Sequence, residues 1–183
     1  MVGAVVRIIA GTKKSLRIDA PKGTVTRPMT DRMRESLFSS LASRIPQARI
    51  ADLFAGSGSI GLEALSRGAE SVVFVEANHD VVRVLRSNVE RIGLGGSIVA
   101  ATVESFLSTT RDGFDLVFVD PPYPMEDADV ERIVNQVARI LADDGLVILH
   151  RRFDQPKPVT TLSIMHERRY GDAVIWRFEK DNS

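Results

Sequence analysis

This 183-residue chain contains the segment Ile50-Ala51-Asp52-Leu53-Phe54-Ala55-Gly56-Ser57-Gly58-Ser59-Ile60-Gly61, which sets its fold class. The first half of the segment is an apolar run of strand type. The second half places Gly56, Gly58 and Gly61 in the G-x-G-x-x-G spacing that opens a helix in nucleotide-binding α/β folds. Glycine is needed there because the backbone must turn tightly and let a ligand lie against it. The segment therefore predicts a strand, a ligand-binding turn and a helix.

Two carboxylates accompany this turn. Glu76 ends the next predicted strand about 20 residues later, where a carboxylate can accept hydrogen bonds from both ribose hydroxyls. Asp52 lies inside the first strand, where a buried carboxylate needs an ammonium group or loop N–H groups as partners. The same turn serves dinucleotides and S-adenosylmethionine. Dehydrogenases usually need a further substrate domain, for which these residues offer no candidate segment, so we favour S-adenosylmethionine.

The chain from residue 50 onward alternates short β-branched runs with longer helical periods, which predicts a mostly parallel sheet covered on both faces. The predicted strands are 50–54, 72–76, 97–101, 116–120 and 146–150, followed by an antiparallel edge pair at 159–165 and 173–178. The predicted helices are 60–66, 79–92, 104–109 and 128–141, with another beginning near Thr30 or Asp31. Segments 5–10 and 15–18 predict a small N-terminal hairpin.

The fourth of these strands ends in Asp120-Pro121-Pro122-Tyr123, at the edge where open α/β sheets bind their ligands. The lone pair of a base amino group is delocalised into the ring, so acceptors must align its N–H bonds before it can attack a methyl group. Asp120 offers a carboxylate and Pro121 a carbonyl, while the two prolines fix φ and supply no competing N–H. Tyr123 can stack on a base. The motif predicts methylation of an exocyclic amine, with Asp120 accepting either a proton or only a hydrogen bond.

Charge is distributed unevenly, although 24 basic and 24 acidic side chains cancel. Residues 1–49 hold ten basic and three acidic side chains, whereas residues 50–150 hold seven and sixteen. A basic N-terminal region on an acidic body points to nucleic acid, with a merely solvated face as the alternative.

Several classes of site are excluded or disfavoured. The chain has no cysteine, which excludes disulfides and thiolate zinc sites and is typical of a cytoplasmic protein. No apolar run approaches the roughly 20 residues that span a bilayer, so we expect no membrane partner. His79, His150 and His166 lie in separate elements without carboxylates at metal spacing, so we interpret them as packing or solvent-facing residues and expect no metal.

The glycine turn and residues 120–123 together resemble the class I S-adenosylmethionine-dependent amino-methyltransferases. Residues 7–11, 27–38 and 61–69 are similar to the RsmD family, whose members methylate the 2-amino group of one guanine in 16S ribosomal RNA. The resemblance implies a Rossmann-like α/β fold, with a mostly parallel seven-stranded sheet and an antiparallel last strand. It implies S-adenosyl-L-methionine as cofactor, S-adenosyl-L-homocysteine as product, and the small ribosomal subunit or its assembly intermediate as partner. We expect a monomer with a basic hairpin arm over residues 1–28 and a methyltransferase domain over residues 29–183.

The resemblance also implies roles for individual residues. The catalytic residues would be Asp120, Pro121, Pro122 and Tyr123. The cofactor-binding residues would be Asp52, Phe54, Ala55, Gly56, Ser57, Gly58, Glu76, Ala77, Thr102 and Val103, of which the last two correspond to the adenine-edge position. The arm would contact RNA phosphates through Arg7, Lys13, Lys14, Arg17, Arg27, Arg32 and Arg34. The target guanine must leave its stack to reach Asp120.

Three rival functions follow from the same residues. A DNA adenine or a protein glutamine also presents an amine to such a motif, but the N-terminal segments argue against both. A non-catalytic RNA-binding protein has no need of the intact acceptor motif at residues 120–123. A nicotinamide oxidoreductase would bind NAD, which a titration can exclude.

Overall fold

The computed structural model describes residues 6–21, 29–111 and 113–180. The strands are β1 Val6–Arg7, β2 Arg17–Ile18, β3 Arg49–Leu53, β4 Ser71–Glu76, β5 Ser97–Ala100, β6 Phe114–Val119, β7 Leu141–Arg152, β8 Ser163–Tyr170 and β9 Ala173–Glu179. The helices are α1 Asp31–Ser40, α2 Ser59–Ser66, α3 His79–Ile92, α4 Val103–Thr109 and α5 Asp127–Val137. In the described ranges, no helix combines the length and the apolar composition that a membrane crossing needs.

Seven of the strands form one sheet in the order β5-β4-β3-β6-β7-β9-β8. Strands β3 to β7 run parallel, and β9 is antiparallel to both of its neighbours. The predicted mostly parallel sheet with an antiparallel last strand is therefore confirmed. Because parallel strands end at the same edge, the chain leaves β3, β4 and β6 side by side. We call this edge the site edge.

Helices cover both faces of the sheet. Leu116 and Phe118 of β6 pack into a core that includes α1, α2 and α3, whereas Val117 and Val119 pack with α4 and α5. Phe38 of α1 stacks on Phe118 with ring centroids 5.8 Å apart. Because β6 is buried on both faces, its residues 116–119 form a continuous apolar run instead of alternating with polar residues.

The predicted strand over 146–150 is the centre of a longer strand, β7, and two further predicted boundaries are wrong. The helix expected over 128–141 ends at Val137, because Leu141 already pairs with Phe114 at the start of β7. The strand expected over 159–165 begins at Ser163, and the backbone N–H of Val159 donates instead to the Glu131 carboxylate. In both places tertiary pairing overrides the local apolar pattern.

The N-terminal hairpin is confirmed as the antiparallel pair β1–β2, and it packs against α2. The carboxylate of Glu63 is fully buried and accepts hydrogen bonds from the backbone N–H groups of Ile9 at 2.6 Å and Ala10 at 3.1 Å. The hairpin tip is bound to the last residue of the helix, since the Thr12 N–H donates to the Ser66 carbonyl. The hairpin is thus joined to the helix by buried polar contacts.

Candidate active site

The predicted turn after β3 is present, and steric contacts explain two of its three glycines. Gly58 caps α2 with φ +82°, and a Cβ at this position would lie 2.6 Å from the Leu85 side chain. A Cβ on Gly61 would lie 2.3 Å from the ring of Phe74, so this glycine lets α2 approach β4. Neither position has room for a side chain, so no side chain covers the backbone where the chain enters α2.

Glu76 lies beside this turn, as predicted. One carboxylate oxygen accepts the Gly56 N–H at 3.1 Å, and the other accepts the Asn78 N–H at 2.9 Å. A carboxylate oxygen can accept more than one hydrogen bond, so both oxygens of this half-buried group can still accept from a ligand. The two backbone donors fix the side chain without exhausting it.

Asp52 is buried beneath the turn rather than exposed to a ligand. Its carboxylate accepts the N–H of Gly61, in the first turn of α2, at 2.9 Å, so a backbone N–H rather than an ammonium group is its partner. Burial raises the pKa of Asp52 to about 8; the Gly61 hydrogen bond lowers it, while the charges of Asp120 and Glu76 raise it further. Asp52 therefore holds the backbone at the start of α2. It has almost no exposed surface with which it could contact a cofactor.

The remaining predicted cofactor residues also lie near the site edge. Thr102 caps α4 by accepting the Ser105 N–H at 3.2 Å and keeps its hydroxyl hydrogen as a donor, whereas Val103 is buried in the core. The Ser57 carbonyl accepts a hydrogen bond from the Asn88 side chain. Phe54 and Ala55 belong to the turn itself, and exposed Ala77 directly follows β4.

The segment Asp120-Pro121-Pro122-Tyr123 directly follows β6 and is held from the end of β7. Arg151 is buried and donates hydrogen bonds to the Met125 carbonyl at 3.2 Å and to Asp127 at 3.0 Å. Gln155 donates to the Tyr123 carbonyl at 3.1 Å. Sequence reasoning did not anticipate these two braces, because nothing local marks Arg151 as buried. They give the loop a fixed conformation.

The sequence interpretation of His150 was incomplete. The residue is buried as a packing residue would be, but its Nδ1 lies 2.7 Å from Oδ1 of Asp120. The pairing of Val119 with Leu149 places Asp120, directly after β6, beside His150 within β7, a register that the two strand predictions could have suggested. Nowhere in the described ranges do three or more His, Asp or Glu side chains gather as a metal ion would need.

The prediction that Arg34 contacts RNA is wrong. Its side chain is fully buried on the inner side of α1 and donates hydrogen bonds to the Arg7 carbonyl and to Asp31. Burial lowers the pKa of this guanidinium. The helical period of α1 explains the burial, because residue 34 lies on the same side as Leu37 and Phe38. Arg27 lies outside the described residues.

The other predicted RNA contacts fall into two groups. Lys13 and Lys14 belong to the hairpin tip, where the Lys13 N–H donates to the Ser66 hydroxyl, about 12 Å along α2 from the glycine turn. Arg7 pairs with Arg17 across the hairpin and lies 3.5 Å from Asp31, which precedes exposed Arg32 at the start of α1. The first group therefore lies away from the site edge.

Comparison with known proteins agrees with this geometry. Residues 6–179 match the family described as Conserved hypothetical protein 95. The chain is 32% identical to Ribosomal RNA small subunit methyltransferase D of Escherichia coli (strain K12) over 176 residues, which is 94% of this chain and 88% of that one. It is also 32% identical to the putative rRNA methyltransferase YlbH of Bacillus subtilis (strain 168), covering 95% of this chain and 98% of the relative. The solved structure of yhhF from Escherichia coli superposes with a TM-score of 0.87 at 32% identity, covering 98% and 99% of the two chains.

These matches extend over the hairpin, the glycine turn and the loop after β6. They cover most of the length of both partners in each comparison. The chain belongs to the RsmD family, whose Escherichia coli member is named ribosomal RNA small subunit methyltransferase D.

Proposed function

We propose that this chain transfers the methyl group of S-adenosylmethionine to the 2-amino group of one guanine in 16S ribosomal RNA. The observation that carries the proposal is that the glycine turn and the Asp120-Pro121-Pro122-Tyr123 loop follow adjacent parallel strands, β3 and β6. Direct methyl transfer needs donor and acceptor held together in one orientation. Membership of the RsmD family supports ribosomal RNA as the substrate.

S-adenosylmethionine would supply an electrophilic methyl group on a sulfonium centre. Glu76 suits the ribose, because two backbone N–H groups hold its carboxylate while lone pairs remain for two hydroxyls. The space beside Gly56 is open, since a Cβ there would meet only the Phe54 carbonyl at 3.9 Å. Because the Val103 side chain is buried, the adenine edge would be bound by backbone groups of Thr102 and Val103, with the Thr102 hydroxyl as a further donor.

The loop after β6 would activate the guanine amine. Asp120 accepts one N–H of the amine and the Pro121 carbonyl accepts the other, which turns the nitrogen lone pair toward the methyl group. Attack by the amine would form the N–C bond and break the C–S bond, whose electron pair would stay on sulfur. The methylated amine would then release one proton, through Asp120 or directly, to the solvent. Tyr123 offers a half-buried ring against which the flipped base can stack.

The RNA would lie on basic residues from both ends of the chain. Arg32 and Arg168 line a cleft of about 490 Å³ between the start of α1 and the β8–β9 turn. The Arg168 guanidinium lies 5.1 Å from the ring centroid of Tyr170, whose hydroxyl is 3.0 Å from that of Ser36. Guanidinium groups fixed in this way suit phosphate recognition. Arg32, Arg168 and Arg17 would together form the basic track that the RNA follows.

The deciding experiment incubates the protein with methyl-labelled S-adenosylmethionine and small subunits from cells that lack the modification. We expect one N2-methylguanine in 16S ribosomal RNA, located by nuclease mapping and mass spectrometry. Parallel reactions with naked 16S RNA, assembly intermediates and mature subunits identify the physiological substrate. Label in DNA adenine or protein glutamine, or NAD binding in place of S-adenosylmethionine binding, would contradict the proposal.

A further inference from the structure

His150 is a buried titratable group at the site edge that the proposed chemistry leaves without a role. Its side chain is 3% exposed, whereas that of Asp120 is 27% exposed. The imidazole Nδ1 lies 2.7 Å from Oδ1 of Asp120, and the ring stands edge-on to Tyr123 with centroids 6.3 Å apart. Its Nε2 has no hydrogen-bond partner among the described residues. Of the two ring nitrogens, Nδ1 is therefore the one that forms a hydrogen bond, and its partner is Asp120.

The direction of this hydrogen bond follows from the chemistry of its partners. An ionised carboxylate has no hydrogen to donate, so the proton between the two groups belongs to Nδ1 of His150. The bond occupies Oδ1 and leaves Oδ2 of Asp120 for the substrate. A carboxylate otherwise rotates broadly about its last side-chain bond, because that torsion has no sharp staggered minima. A buried donor at a fixed place on β7 removes this freedom.

We propose that His150 is a positioning residue for Asp120, whose Nδ1–H fixes one carboxylate oxygen so that the other faces the amine of the target base. The inference rests on the proposed function, since it assigns Asp120 to the amine. It adds a residue on a second strand that sets the direction of the acceptor. Misplacing an acceptor by about 1 Å can cost on the order of 100-fold in rate, so this positioning is worth measuring.

The charges around His150 make its effect depend on pH. Burial lowers the pKa of His150, but the charge of Asp120, the hydrogen bond to it and the charge of Asp172 in the β8–β9 turn outweigh burial and raise it. The other neighbour of His150 is Tyr123, whose aromatic ring lies edge-on to the imidazole. The positive charge of protonated His150 attracts the negative charge of Asp120. The carboxylate is then a weaker hydrogen-bond acceptor for the amine of the target base. Methyl transfer should therefore slow as the pH falls through the pKa of His150.

The test compares His150→Leu, which removes the donor, with His150→Asn, whose side-chain amide places an N–H near the position of Nδ1. His150→Leu should lower kcat by about 10-fold to 100-fold, with S-adenosylmethionine affinity and the KM for RNA nearly unchanged. His150→Asn should recover most of the rate and lose the pH inflection of the wild type. His166→Asn, which removes an exposed histidine on β8, should retain both.

A spectroscopic measurement gives a readout that does not depend on turnover. Imidazole ¹⁵N NMR should show His150 protonated at Nδ1, and Asp120→Asn should lower its pKa because the carboxylate charge is removed. Equal kcat for His150→Leu and wild type, or an unchanged pKa in Asp120→Asn, would overturn the positioning role. Wild-type methylation of ribosomal RNA in the same assays would show that the proposed function itself still stands.

Discussion

Glu63 and Glu76 are two carboxylates that each accept two backbone N–H groups, yet they differ in what remains. Glu63, under the N-terminal hairpin, is fully buried and accepts a third hydrogen bond from Arg67 at 2.6 Å. Glu76, at the site edge, is half-buried and its two N–H partners leave lone pairs open. Burial and remaining hydrogen-bond capacity therefore separate the structural carboxylate of Glu63 from the carboxylate that we propose to bind the ribose.

The same contrast separates the two regions as a whole. On the hairpin side, Arg34 and Asn88 are buried and bonded to backbone groups of residues 7, 19 and 57, so polar side chains there hold elements together. At the site edge, Asp120 is partly exposed and shares one oxygen with His150. Substitutions should therefore affect folding on the hairpin side and ligand binding at the site edge.

The greatest change in stability is expected on the hairpin side. Glu63→Gln replaces a buried charge that binds Arg67 and two backbone donors, so we expect the free energy of unfolding to fall by about 3 kcal/mol. Urea denaturation measures it, and Glu70→Gln, at an exposed position, is the control. Wild-type stability in Glu63→Gln would show that the hairpin contact contributes little.

Glu76→Ala should show the opposite behaviour. We expect its affinity for S-adenosylmethionine to fall by roughly 1.5 to 3 kcal/mol, because the ribose hydroxyls lose a charged acceptor. Its unfolding free energy should change much less than that of Glu63→Gln. Calorimetric titration provides the affinity, and an unchanged value would place the cofactor elsewhere.

Sequence patterns predict some of these features and not others. The alternation of strands and helices, the glycine turn and the place of Glu76 follow from local spacing, because strand, turn and helix signals lie close together along the chain. Arg34 shows the limit, since charge alone suggested a phosphate contact and only the packing of α1 shows its burial. The bonds of His150 and Arg151 depend on which strands are neighbours, and no single segment encodes that information.

Asp52 tests the boundary between the two regions, because it lies at the site edge but is buried like Glu63. Its raised pKa means that the folded state binds one more proton than the unfolded state between about pH 4 and pH 8. Stability of the unliganded protein should therefore fall as pH rises through this window, by up to about 1.4 kcal/mol per pH unit. Thermal unfolding of Asp52→Asn at pH 6 and pH 8 should show a smaller difference than the wild type. Equal pH dependence in both proteins would mean that Asp52 ionises normally.

The weakest effects concern the basic surface. Arg17→Gln with Arg32→Gln should reduce the slope of log RNA affinity against log salt by about 1.4 to 1.8, since each neutralised phosphate contributes roughly 0.7 to 0.9 to that slope. Lys13→Gln with Lys14→Gln, at the hairpin tip away from the site edge, should change the slope much less. Filter binding at several salt concentrations gives both slopes. Equal reductions would extend the RNA path over the whole hairpin.

Single-turnover methylation by Asp120→Ala is the decisive measurement, since Asp120 is the proposed acceptor at the site edge. We predict that transfer to 16S ribosomal RNA slows by at least about 100-fold, because the missing hydrogen bond acts mainly in the transition state. S-adenosylmethionine affinity in the same preparation should stay within a few-fold of the wild type. A near-normal rate of transfer with intact cofactor binding would contradict the assignment of Asp120 and of the loop that carries it.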